Sequence, residues 1–203
     1  MRNEPSMRRR LLLAVLVSLA VALWAAPGEA QTVSIPVLNS QFVFDTLPCS
    51  PGSGCNTYGI SGWVTGPSTY VLKAGTSQFP TAPPTGLYVA ALGSTTATGS
   101  MFQQLGATIQ ANMAYAAKIT IGARADVVFT GYQASLLAGN TVLASNNRSI
   151  PAGGTFVTDL VVYMSGAIPG QLGQPLQILI RSIGTGQADI ASVSVTATPT
   201  AAQ

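Results

Sequence analysis

Tyr115-Ala116-Ala117-Lys118-Ile119-Thr120-Ile121-Gly122-Ala123 is the stretch that decides the fold of this chain. Tyr115, Ala117, Ile119 and Ile121 stand at every second position, with Lys118 and Thr120 between them and Arg124 beyond. Successive side chains of a strand point to opposite faces, so this segment offers one apolar face to a core and one polar face to water. The same rhythm returns near the end, where Ala191, Val193 and Val195 alternate with Ser192, Ser194 and Thr196. Outward from these two segments, strand signals recur about every ten residues, broken by Gly, Pro, Ser and Asn. The runs are 33–38, 41–45, 60–64, 69–73, 87–92, 100–105, 115–123, 126–137, 141–145, 155–164, 175–182 and 189–197. They predict an all-β protein built as two packed antiparallel sheets, with no helix longer than a turn or two beyond the leader.

Two details refine the pattern. Gly139-Asn140 between Leu136-Leu137-Ala138 and Thr141-Val142-Leu143 reads as a tight hairpin turn. From Phe102 to Lys118, Phe102, Leu105, Ile109 and Met113 follow helical spacing, but Gly106, Thr108 and Asn112 oppose a helix. Strand, loop, strand is the reading there. Gly75, Pro80, Pro83, Pro84 and Gly86 make 74–86 a long loop with no element of its own, a kind of segment often functional in compact domains.

The first thirty residues form a secretory leader. Met7-Arg8-Arg9-Arg10 precedes an apolar run from Leu11 to Ala26, and Gly28-Glu29-Ala30 supplies small residues at the cleavage positions. Residues 31–203 then form one domain, expected in the periplasm or outside the cell. Arg2, Arg8, Arg9 and Arg10 belong to the leader, so the formal charge of +3 overstates the basic character of the domain. What remains is Lys73, Lys118, Arg124, Arg148 and Arg181 against Asp45, Asp126, Asp159 and Asp189. No basic stripe exists to bind nucleic acid. No later apolar run is long enough to span a bilayer. Cys49 and Cys55 bracket Ser-Pro-Gly-Ser-Gly, and in an exported chain that spacing is most simply a disulfide, closing a short loop for about 2 kcal/mol at best.

Ile35-Pro36-Val37-Leu38-Asn39-Ser40-Gln41-Phe42 resembles the opening of galactose-binding-like jelly rolls. Gly62-Trp63 with Tyr70 is similar to their second-strand tryptophan segment, and Met101-Phe102-Gln103-Gln104-Leu105 followed by Tyr115 to Gly122 is similar to their central pair. Tyr132 to Ser145 and Gly173-Gln174-Pro175-Leu176-Gln177-Ile178 continue the likeness. It covers nearly all of the chain after the leader, and implies a jelly-roll form of the sandwich. Relatives include carbohydrate-binding modules, secreted bacterial domains and the calcium-dependent Stig cyclases.

The resemblance also carries departures. Such domains tie first and last strands with calcium, held by a glutamate and an aspartate whose positions here are Val43 and Ala191. In the cyclases an acid on the last strand is the proton donor, and Ala191 has no proton to give. If the first and last strands pair so that Val43 faces Ala191, Asp45 faces Asp189, and these two either hold a displaced calcium or repel. Two aspartates supply few of the oxygens calcium needs, so a lost metal site is the expectation and no cofactor is implied.

Functional candidates are few. Without histidine, Ser-His-Asp and Cys-His chemistries are excluded. Asp159, among Val157, Val161 and Tyr163, is the acid expected to be perturbed or to pair with Arg181. Trp63, Tyr70, Tyr88, Phe102 and Tyr132 supply rings that either stack on a ligand or fill a core. Gln103, Gln104, Gln177 and Arg181 are donors suited to hydroxyls, or simply a solvated strand face. The function expected is an exported, non-catalytic binding module for a neutral glycan or similar polyhydroxylated ligand. A structural or adhesive protein that self-associates comes second, and a Stig-cyclase-like enzyme without the usual acid third. Rings gathered in one groove favour binding; scattered, buried rings favour a structural role.

Overall fold

The structure, a computed structural model, describes residues 31–48 and 56–201. The expected leader (1–30) and the expected Cys49–Cys55 disulfide lie outside the described residues. Twelve strands follow in order: β1 (Val33–Ile35), β2 (Asn56–Tyr58), β3 (Val64–Thr65), β4 (Thr69–Lys73), β5 (Tyr88–Leu92), β6 (Ser100–Thr108), β7 (Met113–Ala123), β8 (Tyr132–Ala138), β9 (Thr141–Asn146), β10 (Thr155–Met164), β11 (Pro175–Ser182) and β12 (Ala188–Pro199). No helix is among the described residues.

They form the expected antiparallel sandwich. One sheet has seven strands in the order β10-β7-β12-β5-β4-β2, with β1 also on β12; the other has five in the order β3-β6-β11-β8-β9. The inner faces meet in one core. Tyr115, Ala117, Ile119 and Ile121 of β7 pack there with Met101, Leu105, Leu136, Ile178, Ile180, Val193 and Val195. Residues 102–118 are two strands joined at Asn112, whose backbone is left-handed (φ 53°). Tyr115 seals that turn, its hydroxyl accepting from Gln110 N at 2.7 Å and donating to Thr108 O at 3.2 Å. The hairpin at Gly139-Asn140 is present, with Ala138 opposite Thr141.

The sequence reading needs correction at four places. Residues 41–45 form no strand. Phe42 has φ 60°, so the chain turns there and buries the Phe42 ring while Phe44 stays exposed. Only Val64–Thr65 of the 60–64 region is strand, and the 126–137 run begins at Tyr132.

The fourth correction concerns the last strand. Ile190 pairs with Ile121 but Ser192 with Thr120, so Ala191 is an extra residue, a β-bulge. Ala191 and Ser192 therefore both lie on the outer side, and Ala191 does not face inward with Val193 and Val195. It belongs to a second apolar cluster on the outer face of the seven-stranded sheet, with Leu72, Ala74, Phe79, Val89 and Ala91.

Candidate functional site

A single cross-strand row defines the site. Reading partners across the seven-stranded sheet gives Tyr58 opposite Tyr70, Tyr70 opposite Ala91, Ala91 opposite Asp189, Asp189 opposite Gly122, and Gly122 opposite Phe156. All six lie on the outer face. Asp189 thus stands between two small residues, with aromatic rings beyond them on either side. The small residues are needed there: a Cβ on Gly122 would come within 2.4 Å of Cε1 of Phe156.

Asp189 is wholly buried. Its Oδ1 accepts from Gln187 Nε2 at 2.6 Å, while its Oδ2 has no partner. Gln187 Oε1 accepts in turn from the Tyr70 hydroxyl at 2.8 Å and Arg124 Nη1 at 3.3 Å. Arg124 is held by Asp126, Nε to Oδ1 at 2.8 Å and Nη2 to Oδ2 at 2.6 Å. Burial pushes the Asp189 carboxyl up to about 7, against the lowering influence of Gln187 and Arg124. Burial, then the Asp189 charge, raises the Tyr70 phenol. The bond from Arg124 holds Asp126 below the usual carboxylate range. The result is a carboxyl that keeps its proton near neutrality on an apolar floor, which is what a general acid requires.

The seven residues singled out from sequence do not gather in one place. Trp63 lies in the main core beside Phe42, ring centroids 6.2 Å apart. Tyr88 is half-buried near Lys73, whose Nζ is 5.8 Å from its ring centre. Tyr132 is sealed inside, its hydroxyl donating to Asp159 Oδ2. Burial and that bond push the Tyr132 phenol up to about 12. Tyr70 belongs to the row around Asp189. Phe102, Gln177 and Arg181 share the outer face of the five-stranded sheet in consecutive rows: Ser100–Arg181–Gln133, Phe102–Leu179–Ser135 and Gln104–Gln177–Leu137. An open groove of about 800 Å³ adjoins Arg181 at one end of this face. Gln103 points inward and is structural, donating to Leu38 O at 3.1 Å and Gly62 O at 2.8 Å.

Two expected pairings are not found. Asp159 and Arg181 belong to different sheets, and Asp159 instead accepts from Tyr132, from Asn146 Nδ2 at 2.6 Å and from Leu160 N at 2.8 Å. Asp45 does not face Asp189. β1 does pair antiparallel with β12, but with Val33 opposite Ala197, and the chain has turned away before Asp45. Asp45 accepts from Ser61 N at 3.1 Å and Asn39 Nδ2 at 3.2 Å, fastening two loops together. Calcium does not fit this donor set. Val43 and Ala191 offer no side-chain oxygen, and no three acids, cysteines or histidines cluster among the described residues.

Gln187, Arg124, Gly122 and Phe156 escaped the sequence reading. The only signal was an acid among apolar neighbours, Ala188 and Ile190, and that signal fitted Asp159 equally well.

Comparison with known proteins places the chain in a family. The HpiC1-like family, described as HpiC1 cyclase, matches residues 33–195, and the chain belongs to it. A Stig cyclase from Fischerella sp. TAU, solved with (3Z)-3-(1-methyl-2-pyrrolidinylidene)-3H-indole, is 25% identical with a TM-score of 0.75, the match covering 84% of this chain and 100% of that one. A cyclase from the same source, solved with 4-(1H-indol-3-yl)butan-2-one, is 25% identical with a TM-score of 0.70, covering 83% and 99%. A carbohydrate-binding module solved with β-1,4-galactotriose reaches a TM-score of only 0.47 at 13% identity, over 66% of this chain and 88% of that one, too distant to bear on function. No curated protein matches the chain.

Proposed function

We propose that the protein is an acid-catalysing enzyme of the cyclase type, with Asp189 as proton donor to an apolar substrate. The observation that carries this reading is the buried carboxyl whose Oδ2 has no partner, set between Ala91 and Gly122. Oδ2 delivers its proton to a double bond of the substrate. A second double bond of the same molecule closes a ring onto the resulting cation, and the carboxylate takes back a proton from the ring-closed cation. The sequence is an isomerisation and needs no oxidant or cofactor. Gln187 positions the donor through Oδ1, and Phe156 and Tyr70 offer ring faces to a developing cation. Family membership supports this reading, although the acid stands two residues before the position implied by resemblance.

The test is turnover of 4-(1H-indol-3-yl)butan-2-one and of prenylated indoles, followed by mass spectrometry and NMR. Rearranged isomers of unchanged mass are expected from the native protein, with a loss of at least about 100-fold in Asp189→Asn. Equal turnover by that variant would remove Asp189 from the chemistry.

A second reading rests on the other sheet. Phe102, Gln104, Gln177, Gln133 and Arg181 share one outer face, a mix of ring, amides and guanidinium suited to a polyhydroxylated ligand. Calorimetric titration with neutral oligosaccharides tests it, and heats that persist in Phe102→Ala would place binding elsewhere. Both readings include export through the leader 1–30; a secreted protein starting at Gln31 is the expected product.

A further inference from the structure

β4 and β5 are antiparallel neighbours, a connection that needs only two to five residues. The chain instead spends residues 74–87 on it. Ala74 N donates to Leu87 O at 2.7 Å, closing the base, and Gln78 N and Phe79 N both donate to Gly75 O, which curls the segment back. The excursion lies over the outer face of its own sheet and sends one large apolar side chain down. Phe79 is 2% exposed and stacks on Phe156, centroids 4.5 Å apart.

The surface beneath Phe79 is hollow because its strand positions are small. Ala91 and Ala191 leave room that Leu72 and Val89 border and the Phe79 ring fills, while Phe156, the ring stacked on Phe79, covers Gly122. Ala91 is the cross-strand partner of Asp189, and Ala191 lies two residues further along on the same face. Phe79 thus packs with Ala91 and Ala191, and its stacking partner Phe156 lies over Gly122, the other cross-strand neighbour of Asp189.

Little fastens the segment to the sheet. Ala125 N donates to Gln78 O at 2.9 Å, and Thr85 Oγ1 to Ala191 O at 2.8 Å. Pro80, Pro83 and Pro84 stiffen its middle, while Gly86 at its far end has φ 122° and open space around it.

We propose that this hollow is the binding site for the ring of an apolar ligand, and that Phe79 occupies it as a plug until the ligand displaces it. The inference rests on the reading of Asp189 as the site, and deepens it: a buried acid meets substrate only when its cover lifts, and 74–87 lies over this face tied by the two hydrogen bonds above. Phe156 is the face both rings use. A ligand of this kind binds only the plug-out form, so it shifts the population toward that form.

The test uses hydrogen exchange by NMR on the whole domain, with toluene as probe. In the free protein the amides of Phe79 and Ala125 should exchange at least about 100-fold faster than those of Ile119 and Val195, at rates insensitive to low urea. Saturating toluene should speed exchange at Phe79 and Ala125 further, about 10-fold or more, because it selects the open form. Phe79→Ala, which needs no displacement, should bind toluene at least about 10-fold more tightly than the native protein. Loop amides that exchange only with global unfolding would overturn the proposal, whether or not the variant folds. So would toluene binding that leaves loop exchange unchanged. None of these readouts passes through turnover. An active site lost in Asp189→Asn beside a segment that never opens upholds the acid and sinks the plug.

Discussion

Replacing Asp189 by Asn should remove nearly all of the pH dependence of stability between pH 5 and 7.5. The carboxyl is pushed up to about 7 in the folded protein against 3.8 for an exposed aspartate. The folded state therefore holds the proton more tightly than the unfolded state. This contribution is fully present below about pH 4 and is lost as pH rises through about 7. A shift of about three pH units at about 1.36 kcal/mol each gives about 4 kcal/mol in total, of which about 2–3 kcal/mol falls between pH 5 and 7. That is a large share of the roughly 5–15 kcal/mol that holds a domain folded. The window is unusually clean, because the chain has no histidine and Glu4 and Glu29 both lie outside residues 31–203. Urea denaturation of residues 31–203 at half-unit pH steps measures it directly. The native protein should lose stability with a slope approaching about 1.4 kcal/mol per pH unit between about pH 5 and 6, flattening above about pH 7. Asp189→Asn keeps the acceptor for Gln187 and should give a flat profile. A flat profile in the native protein, or the same slope in the variant, would refute the burial argument and with it the case for a retained proton.

Other expectations follow from neighbouring contacts. Arg124→Met removes a positive charge that lowers the Asp189 carboxyl, so the fall in stability should move to higher pH in the same titration. Gly122→Ala forces the Phe156 ring aside and should cost about 1–3 kcal/mol by urea denaturation, while a smaller ring site in Phe156→Leu should restore part of the loss. Tyr132→Phe leaves buried Asp159 Oδ2 without its donor and should cost about 1–3 kcal/mol by the same measure. Gln103→Leu deserts Leu38 O and Gly62 O, and a cost of about 2–3 kcal/mol is expected, with no change in the Asp189 titration.

Alternation in β7 and in the second half of β12 was legible because one face of each is buried and the other is wet. The same logic failed at 41–45. Phe42 and Phe44 are spaced like strand residues, but a left-handed turn at Phe42 buries one ring and exposes the other. β2 was invisible because Asn56-Thr57-Tyr58 is exposed along its whole length and carries no burial pattern. The bulge at Ala191 left no trace, since alanine suits an inner or an outer position equally. The site was the hardest to read. Asp189 and Tyr70 were both noticed, but their nearness depends on register across β4, β5 and β12, and no spacing along the chain encodes register between strands so far apart. The motif resemblance pointed to Ala191 for the acid, and the bulge is why a carboxyl two residues earlier comes to the outer face.

That bulge makes the position of the acid a matter of counting. Removing Ala191 alone would slide Asp189 and Ile190 by one place against β7 and exchange their faces, driving a carboxylate into the sandwich and an isoleucine out of it. No point substitution in β12 does the same, because substitutions alter what a position carries and leave its phase untouched. Side chains of the inner half, Val193, Val195 and Ala197, are then free to drift under packing pressure without disturbing the outer row. The chemistry of this face is inherited as chain length, and gain or loss of a single codon there would act as an all-or-none step.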